Sequence, residues 1–287
     1  MSIKRILVHV EDSESSRVKL ETAIGMAKHF NAVVSAVYIK TLGEQSLVSA
    51  LANPPGMIAP AITEELKKND DVAVESLNNV SHMVGQTERL YHFEIEFLTY
   101  TGDTKHLLAE KSHCYDLLIV NSELESDFGV GQISSPSNTL ATKAGCPILV
   151  LPGDSNSVCQ FEKPLIAWNG TPESARAISD SMPILEKAKR VSVVNMQKRH
   201  ANFTSRDELN EELMRYLKLH KIDARLLNKK NGAAIKESED INKVINKNNS
   251  DLLVLGAYGY SQLRELFFHS QTKELLNIAK VPVLLSK

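Results

Sequence analysis

The fold class is decided by SDLLVLGAYGYSQLRELFFHSQTKELL, the segment from Ser250 to Leu276. Its apolar run at Leu252 to Leu255 is typical of a buried strand, and this run ends at Gly256 and Gly259. Apolar residues then recur at roughly helical spacing, with a histidine and two hydroxyl side chains among them. Because glycine lets backbone N–H groups approach closely and a helix N-terminus favours negative charge, this connection can surround an anion. The alternative is a tight strand-to-helix turn that needs glycine only for its dihedral angles.

Five elements of the chain recur in the same order in its two halves. The pairs are KRILVHVEDSESSRV from Lys4 with KPLIAWNGTPESARA from Lys163, AVVSAVYI with RVSVVNM, HFEIEFLTYTGD with IDARLLNKKNGA, YDLLIVNSEL with SDLLVLGAYG, and AGCPILVLP with AKVPVLLSK. A repeat of this length indicates duplicated domains rather than a solenoid. Strands that alternate with helical segments predict a parallel sheet with helices on both faces. The prediction is an α/β protein of two tandem domains, 1–152 and 160–287, separated by a polar, turn-rich segment.

The first half contains a full set of predicted strands and helices. Strands are predicted at Ile3–Val10, Asn31–Ile39, Phe93–Tyr100, Asp116–Asn121 and Pro147–Leu151. Helices are predicted after a cap at Asp12 or Ser13 to about His29, from Thr63 to Leu90, and after Gly102 and Asp103 to about His113. The stretch from Gly43 to Pro60 contains NPPG and predicts a long surface excursion.

Length and composition exclude several classes of protein. The chain has 287 residues, of which 43% are hydrophobic and 24% charged, and its net charge is -2. This balance argues against a nucleic-acid-binding or membrane-surface role. The three cysteines show no CxxC spacing, so neither a disulfide framework nor a zinc cluster is indicated. A cytoplasmic protein is the expectation.

The fold class itself predicts where a ligand lies. In open parallel sheets, ligands bind beyond the carboxyl ends of the strands, at a topological switch point. In the second half, the loops that converge there are Asn169–Glu173, Met196–Lys198, Gly232–Ala234 and Gly256–Thr272.

These motifs resemble those of the universal stress protein family, in its bacterial tandem form. VHVEDSESS and IAWNGTPESARAI look like the family's first strand and loop. GAYGYSQLRELFFHSQT looks like its nucleotide loop, in which two glycines separated by two residues are followed, nine residues later, by Gly and then Ser or Thr. Gly256, Gly259 and Ser270 fit this pattern, whereas His269 stands where the family usually has glycine.

The resemblance implies a doubly wound, parallel, five-stranded domain that occurs twice, Rossmann-like and of the adenine-nucleotide alpha-hydrolase-like type. It also implies a stress-response protein, often dimeric, that binds ATP in some members, with Mg²⁺ as a companion ion. The cofactor-contacting residues that it implies are Trp168, Asn169, Gly170, Met196, Gly232, Gly256, Gly259, His269, Ser270, Gln271 and Thr272. Asn169 stands where ATP-binding members often carry Asp. Met196 would border the adenine, because a thioether packs well against a flat ring; ordinary core filling is its alternative.

His269 is the residue on which the prediction of nucleotide binding depends. Its backbone N–H can still donate to a phosphate if its dihedral angles suit a residue with a Cβ. If the position requires a positive φ, histidine costs about 1 kcal/mol and its ring can occupy the phosphate space. A protonated imidazole would instead favour an anion.

The corresponding segment of the first half lacks the paired glycines. Asn121 to Ser137 carries Glu123, Glu125 and Asp127, which put negative charge where phosphates would lie. We therefore expect the first domain to bind no nucleotide and to have a structural or dimer-forming role.

Other kinds of site are weaker interpretations. No GxSxG motif marks a nucleophile elbow, and no histidine has zinc-motif spacing. His9, His106 and His113 are expected to be exposed or hydrogen-bonded. Cys114 and Cys146 adjoin apolar strands, where buried and inert thiols are expected.

Two functional classes remain. The first is a stress-response module that binds an adenine nucleotide in its second domain, with at most slow hydrolysis, since no general base or catalytic metal ligand is evident. The alternative is a nucleotide-independent stress-response or scaffold protein with a vestigial or repurposed cleft. Association is predicted through the strands at Val281–Leu285 and Ile148–Leu151, either in a homodimer or with each other inside one chain.

Overall fold

The computed structural model describes residues 2–41, 60–122, 140, 143–153, 160–196, 206–227, 238–257 and 279–287. Its first half runs β1 (Arg5–His9), α1 (Glu14–Phe30), β2 (Val33–Lys40), α2 (Pro60–Tyr91), β3 (Ile95–Thr101), α3 (Thr104–Lys111), β4 (Leu117–Asn121) and β5 (Ile148–Leu151). Every strand and helix expected in this half is present, within a few residues of its expected limits. Most of the stretch from Gly43 to Pro60, expected to be a surface excursion, lies outside the described residues.

The second half repeats this order of elements. It runs β6 (Pro164–Trp168), α4 (Pro172–Leu185), β7 (Val191–Asn195), α5 (Arg206–Leu219), β8 (Ala224–Leu226), α6 (Ser238–Asn248), β9 (Leu252–Gly256) and β10 (Val283–Ser286). The duplication inferred from the repeat is therefore present in three dimensions.

Local sequence explains where the helices of the first half begin and end. Ser13 is extended and precedes α1, and Asp103 caps α3 by accepting a hydrogen bond from the backbone N–H of His106. Helix α1 ends at Asn31, whose φ of 53° is left-handed and whose N–H donates to the carbonyl of Ala27.

The ten strands form one sheet, in the order β3-β2-β1-β4-β5-β10-β9-β6-β7-β8. Neighbouring strands within each half are parallel, and β5 and β10 pair antiparallel with Leu284 opposite Leu149. The prediction of two doubly wound, five-stranded parallel domains is confirmed. The strands expected to mediate association pair with each other inside the chain.

The core lies on both faces of this sheet. Helices α1, α2, α4 and α5 cover one face, with Leu20, Val80, Ile178 and Leu217 among their buried side chains. Helices α3 and α6 cover the other face, where the buried side chains include Leu108 and Ile241. No helix in the described part of the chain is both long enough and apolar enough to span a bilayer.

The strand order places a switch point in each half. The chain leaves β1 toward β2 and β3 on one side and returns to β4 on the other, so the crevice opens between the carboxyl ends of β1 and β4. By the same argument, the crevice of the second half opens between the ends of β6 and β9.

Candidate functional site

The loop that follows β6 is held by its own side chains. Asn169 Oδ1 accepts hydrogen bonds from the backbone N–H of Thr171 at 3.1 Å and from its hydroxyl at 2.8 Å. Gly170 lies between them with a φ of 75°, a left-handed conformation that costs a residue with a Cβ free energy. The carboxamide of Asn169 is thus engaged within the loop.

Helix α4 starts at this loop with a reciprocal cap. Thr171 Oγ1 accepts from the backbone N–H of Ser174, and Ser174 Oγ accepts from the backbone N–H of Thr171 at 3.1 Å. Pro172 occupies the first helical position and has no N–H to satisfy. Because these donors are used locally, the start of α4 presents few free N–H groups to an anion.

Gly256 ends β9 against the first turn of α4. A Cβ at this position would lie 2.5 Å from the carbonyl carbon of Glu173 and 2.5 Å from the backbone nitrogen of Ser174. The φ of Gly256 is not left-handed, in contrast to that of Gly170. Close packing against α4, rather than a special dihedral angle, therefore requires glycine at position 256, whereas Gly259 lies outside the described residues.

Trp168 and Met196 lie at the carboxyl edge on opposite faces of the sheet. The N–H of Met196 donates to the carbonyl of Trp168 at 2.7 Å. Trp168 packs in the core beneath α4 and α5, whereas the half-buried Met196 packs against the core on the α6 face. Their side chains therefore lie on opposite faces of the sheet, at the ends of β6 and β7.

Buried polar atoms without partners also occur near this edge. Trp168 is 8% exposed, and no described residue accepts a hydrogen bond from its Nε1. The Oε2 atom of Glu173 is likewise buried, and within the described ranges it has no hydrogen-bond donor. These two atoms are a donor and an acceptor respectively.

An asparagine pair that sequence reasoning missed lies beside Trp168. Asn195, opposite Trp168 in the β6–β7 register, donates through Nδ2 to Oδ1 of Asn210 on α5 at 2.6 Å, and both residues are buried. A polar residue that ends an otherwise apolar strand, as in VSVVN, is the signal that could have found it.

Six of the expected site residues lie outside the described residues: Gly232, Gly259, His269, Ser270, Gln271 and Thr272. The described ones, Trp168, Asn169, Gly170, Met196 and Gly256, come together at the ends of β6, β7 and β9.

Two aspartates establish which residues of the two halves are equivalent. Asp116 accepts from the backbone N–H groups of Lys4 at 2.7 Å and Arg5 at 2.9 Å, and Asp251 accepts from those of Glu162 at 2.6 Å and Lys163 at 2.8 Å. Lys4 is therefore equivalent to Glu162, one residue out of register with the sequence match that aligned Lys4 with Lys163.

In this register, Val10 occupies the position of Trp168, and Ser13 and Thr171 both precede the first helix of their half. Val10 is apolar and fully buried.

The first half differs where Gly256 stands in the second. Asn121 ends β4 as Gly256 ends β9, and its Nδ2 donates to the hydroxyl of Ser15 on α1. A side chain thus lies between the strand end and the helix, where the second half has none.

The last residue of β1 is a buried histidine. Burial lowers the pKa of His9 well below its usual range, and the charge of Lys19 lowers it further. Glu11 Oε1 lies 3.3 Å from Nδ1 but out of line for a hydrogen bond. Because the lowered pKa keeps the ring neutral, this contact is a close approach rather than an ion pair. His9 is therefore not exposed, and no residue in the described part of the chain hydrogen-bonds its Nδ1.

A cleft of about 500 Å³ opens between α1 and α2 on the first half. Asp12 and Glu14 lie at its rim, and Asp12 accepts from Nδ2 of Asn79 at 2.9 Å. Carboxylates at the rim repel phosphate groups.

The remaining candidate residues are possible metal ligands and reactive cysteines. Among the described residues, no three His, Cys, Asp or Glu side chains converge to hold a metal ion. Cys146 is half-buried, and burial raises the pKa of its thiol to about 12, which disfavours the reactive thiolate at neutral pH. Cys114 is exposed, so the expectation that it is buried is wrong; it lies in a 3₁₀ turn before β4 rather than against the sheet.

Comparison with known proteins agrees with this architecture. The model of the universal stress protein family matches the chain twice, at residues 2–152 and 165–287. A universal stress protein from Archaeoglobus fulgidus DSM 4304 aligns in structure with a TM-score of 0.69 and 14% identity, over 100% of this chain and 97% of that one. A functionally unknown protein from Pseudomonas aeruginosa PAO1 aligns with a TM-score of 0.58 and 14% identity, over 99% and 92% of the two chains. No curated protein sequence matches the chain. The chain belongs to the universal stress protein family, in tandem form.

Proposed function

We propose that this universal stress protein binds ATP or a related adenine nucleotide at the carboxyl edge of its second domain, between β6 and β9. The observation that carries the proposal is the packing of Gly256 against the first turn of α4. Because no side chain separates strand from helix, the chain leaves β9 directly over the crevice where this fold class binds ligands. The first domain fills the same place with Asn121.

The phosphates are assigned to the loop that begins at Gly256. The backbone N–H groups at the start of α4 are mostly used by its own cap, so few of them are free to donate to an anion. The glycines and hydroxyls that the family resemblance assigns to phosphate, Gly259, Ser270 and Thr272, follow Gly256 in the sequence. Mg²⁺ would enter with the phosphates of the nucleotide.

Hydrolysis is proposed to be slow at most. The polar side chains at the end of β6, Asn169, Thr171 and Ser174, are hydrogen-bonded to one another or to the loop backbone. Groups held in this way stabilise the loop and are poorly placed to activate water.

A nucleotide-independent scaffold is the second candidate. It is favoured by the engagement of Asn169 with Thr171, which uses the carboxamide acceptor within the loop. The substitution of histidine for the family's glycine at position 269 favours it as well.

Calorimetric titration with ATP and Mg²⁺ tests the proposal. We expect the wild-type protein to bind, and Ser270→Ala to bind about tenfold more weakly through loss of a hydrogen bond to a charged group. Ser122→Ala, directly after β4 in the first domain, is the matched control and should bind like the wild type. Equal affinity of both variants would place the nucleotide elsewhere. No heat at millimolar ATP would favour the scaffold.

We place this activity in the cytoplasm. The exposed Cys114 thiol is free, as is Cys146, and free thiols are typical of reducing compartments.

The proposed domain limits remain 1–152 and 160–287, and homodimerisation remains the alternative to association of the two halves alone.

A further inference from the structure

Trp168 occupies an unusual position in the second domain. It is the last residue of β6, one residue before the Asn169–Thr171 loop, and its backbone is fixed by the hydrogen bond from Met196. The residue is 8% exposed, and no described residue accepts from its indole Nε1. Buried tryptophans normally have a partner for this N–H, so a missing acceptor requires an explanation.

The first domain shows that the fold does not need a polar group here. Val10 stands at the equivalent position, fully buried, and its apolar side chain packs in the same core. The donor is therefore specific to the domain whose crevice is bordered by Gly256 rather than Asn121.

Neighbouring groups do not supply the missing acceptor. The side-chain oxygen of Asn210 accepts from Asn195, on the strand beside Trp168. The carbonyl of Trp168 itself accepts from Met196. The acceptor is left to a group outside the described residues of the protein.

A base fits this position better than a phosphate. The indole carries no charge and has a flat, apolar body, which suits a flat aromatic ring with a nitrogen acceptor at its edge. Adenine presents such acceptors at N1, N3 and N7.

We propose that Trp168 determines base specificity in the second-domain site, with its indole N–H donating to a ring nitrogen of the adenine. This inference rests on the proposed nucleotide binding and adds to it the residue that reads the base.

The test uses the fact that the chain contains one tryptophan. Fluorescence excited at a wavelength that tyrosine does not absorb therefore reports on this position alone, in the unmodified full chain. The wild type is titrated with ATP and with 1-deaza-, 3-deaza- and 7-deaza-ATP, and affinities are measured by calorimetry in parallel. Trp168→Phe, which keeps the aromatic ring and removes the N–H, is titrated by calorimetry with the same four nucleotides.

We expect ATP to shift the fluorescence of the wild type. We also expect one deaza analogue to bind about tenfold more weakly than ATP, the order of one hydrogen bond. Trp168→Phe should bind ATP more weakly than the wild type by the same factor. It should bind that analogue with the same affinity as the wild type does, because the hydrogen bond is already absent in both complexes.

Two results would overturn the inference and are distinguishable. If the wild type binds ATP and all three analogues alike, Trp168 does not read the base, while the proposed nucleotide binding stands. If neither calorimetry nor fluorescence detects ATP binding, the proposed nucleotide binding and the proposed role of Trp168 are both wrong. Should Trp168→Phe not fold, as judged by its thermal transition, the analogue series on the wild type still decides between these outcomes.

Discussion

Gly256, at the end of β9, lies directly against the peptide that joins Glu173 to Ser174. The position of a Cβ on Gly256 is 2.7 Å from the carbonyl oxygen of Glu173, well inside van der Waals contact. Because both partners are backbone, neither can move without displacing the strand or the helix. This contact joins two segments that lie far apart in sequence and defines one wall of the second-domain crevice.

Substitution of Gly256 by Ala should be destabilising for this steric reason. We expect a loss of about 1–3 kcal/mol in the free energy of unfolding, the usual cost of overpacking. Gly85→Ala is the matched control: it lies in α2, where a Cβ meets nothing within 4 Å, and should gain about 0.5–1 kcal/mol from helix propensity. Denaturant unfolding of the two variants checks the prediction, and equal effects would contradict it.

Asp251 and Asp116 each tie the strand that follows them to the start of the first strand of their half. Replacing Asp251 by Ala removes both acceptors of the Glu162 and Lys163 N–H groups and should cost about 1–3 kcal/mol. Asp223→Ala, where the aspartate side chain is exposed, should change stability little. Thermal unfolding measures the difference, and similar transition temperatures for the two variants would refute a structural role for Asp251.

His9 should make the stability of the protein depend on pH. Its pKa is lowered in the folded protein from an ordinary value of 6.5, so below about pH 6.5 the unfolded chain binds a proton that the folded chain does not. The free energy of unfolding should fall as the pH falls through this range, by up to about 1.4 kcal/mol per pH unit.

Unfolding curves between pH 8 and pH 5 measure this slope. The slope should be shallower in His9→Gln, whereas His82→Gln, at an exposed position of α2, should retain the wild-type slope. Parallel pH profiles for all three proteins would argue against His9 as the origin.

Replacing His269 by Gly tests whether this residue blocks the proposed site. If its side chain occupies phosphate space or strains the backbone, the substitution should raise ATP affinity several-fold, given a strain of about 1 kcal/mol. Calorimetry at constant ionic strength gives the affinities, with His220→Gly on the second-domain surface as the control. A weaker affinity in His269→Gly would instead indicate that the imidazole assists binding.

The pairing of β5 with β10 uses the inner edge of each five-stranded sheet within one chain. We therefore expect the protein to be monomeric, with a mass near 31.8 kDa by light scattering across the micromolar range. A mass of twice this value would show that another surface, such as the outer edge at β3 or β8, mediates a homodimer.

Much of the architecture was predictable because it depends on local pattern. Apolar runs, turn residues and their recurrence predicted five strands in each half, and a parallel α/β arrangement predicted the edge at which Trp168, Asn169 and Gly256 meet. These properties come from side-chain periodicity and backbone preference within short segments.

The sequence repeat was less reliable for deciding which residues of the two halves are equivalent. The matching lysines at positions 4 and 163 suggested one alignment, and the hydrogen bonds to Asp116 and Asp251 established another, shifted by one residue. A strand exposes alternate faces, so a shift of one residue exchanges core-facing and opposite positions. Only in the correct register does Val10 correspond to Trp168.

The amino-acid sequence by itself thus determined the duplicated α/β fold and the end of the sheet at which a ligand would bind. Tertiary structure alone decided that β5 pairs with β10, that Gly256 is required by the closeness of α4, and that the indole of Trp168 is buried without a described acceptor. The reason is physical: these three features depend on distances between segments remote in the chain, which packing sets and local sequence pattern does not encode.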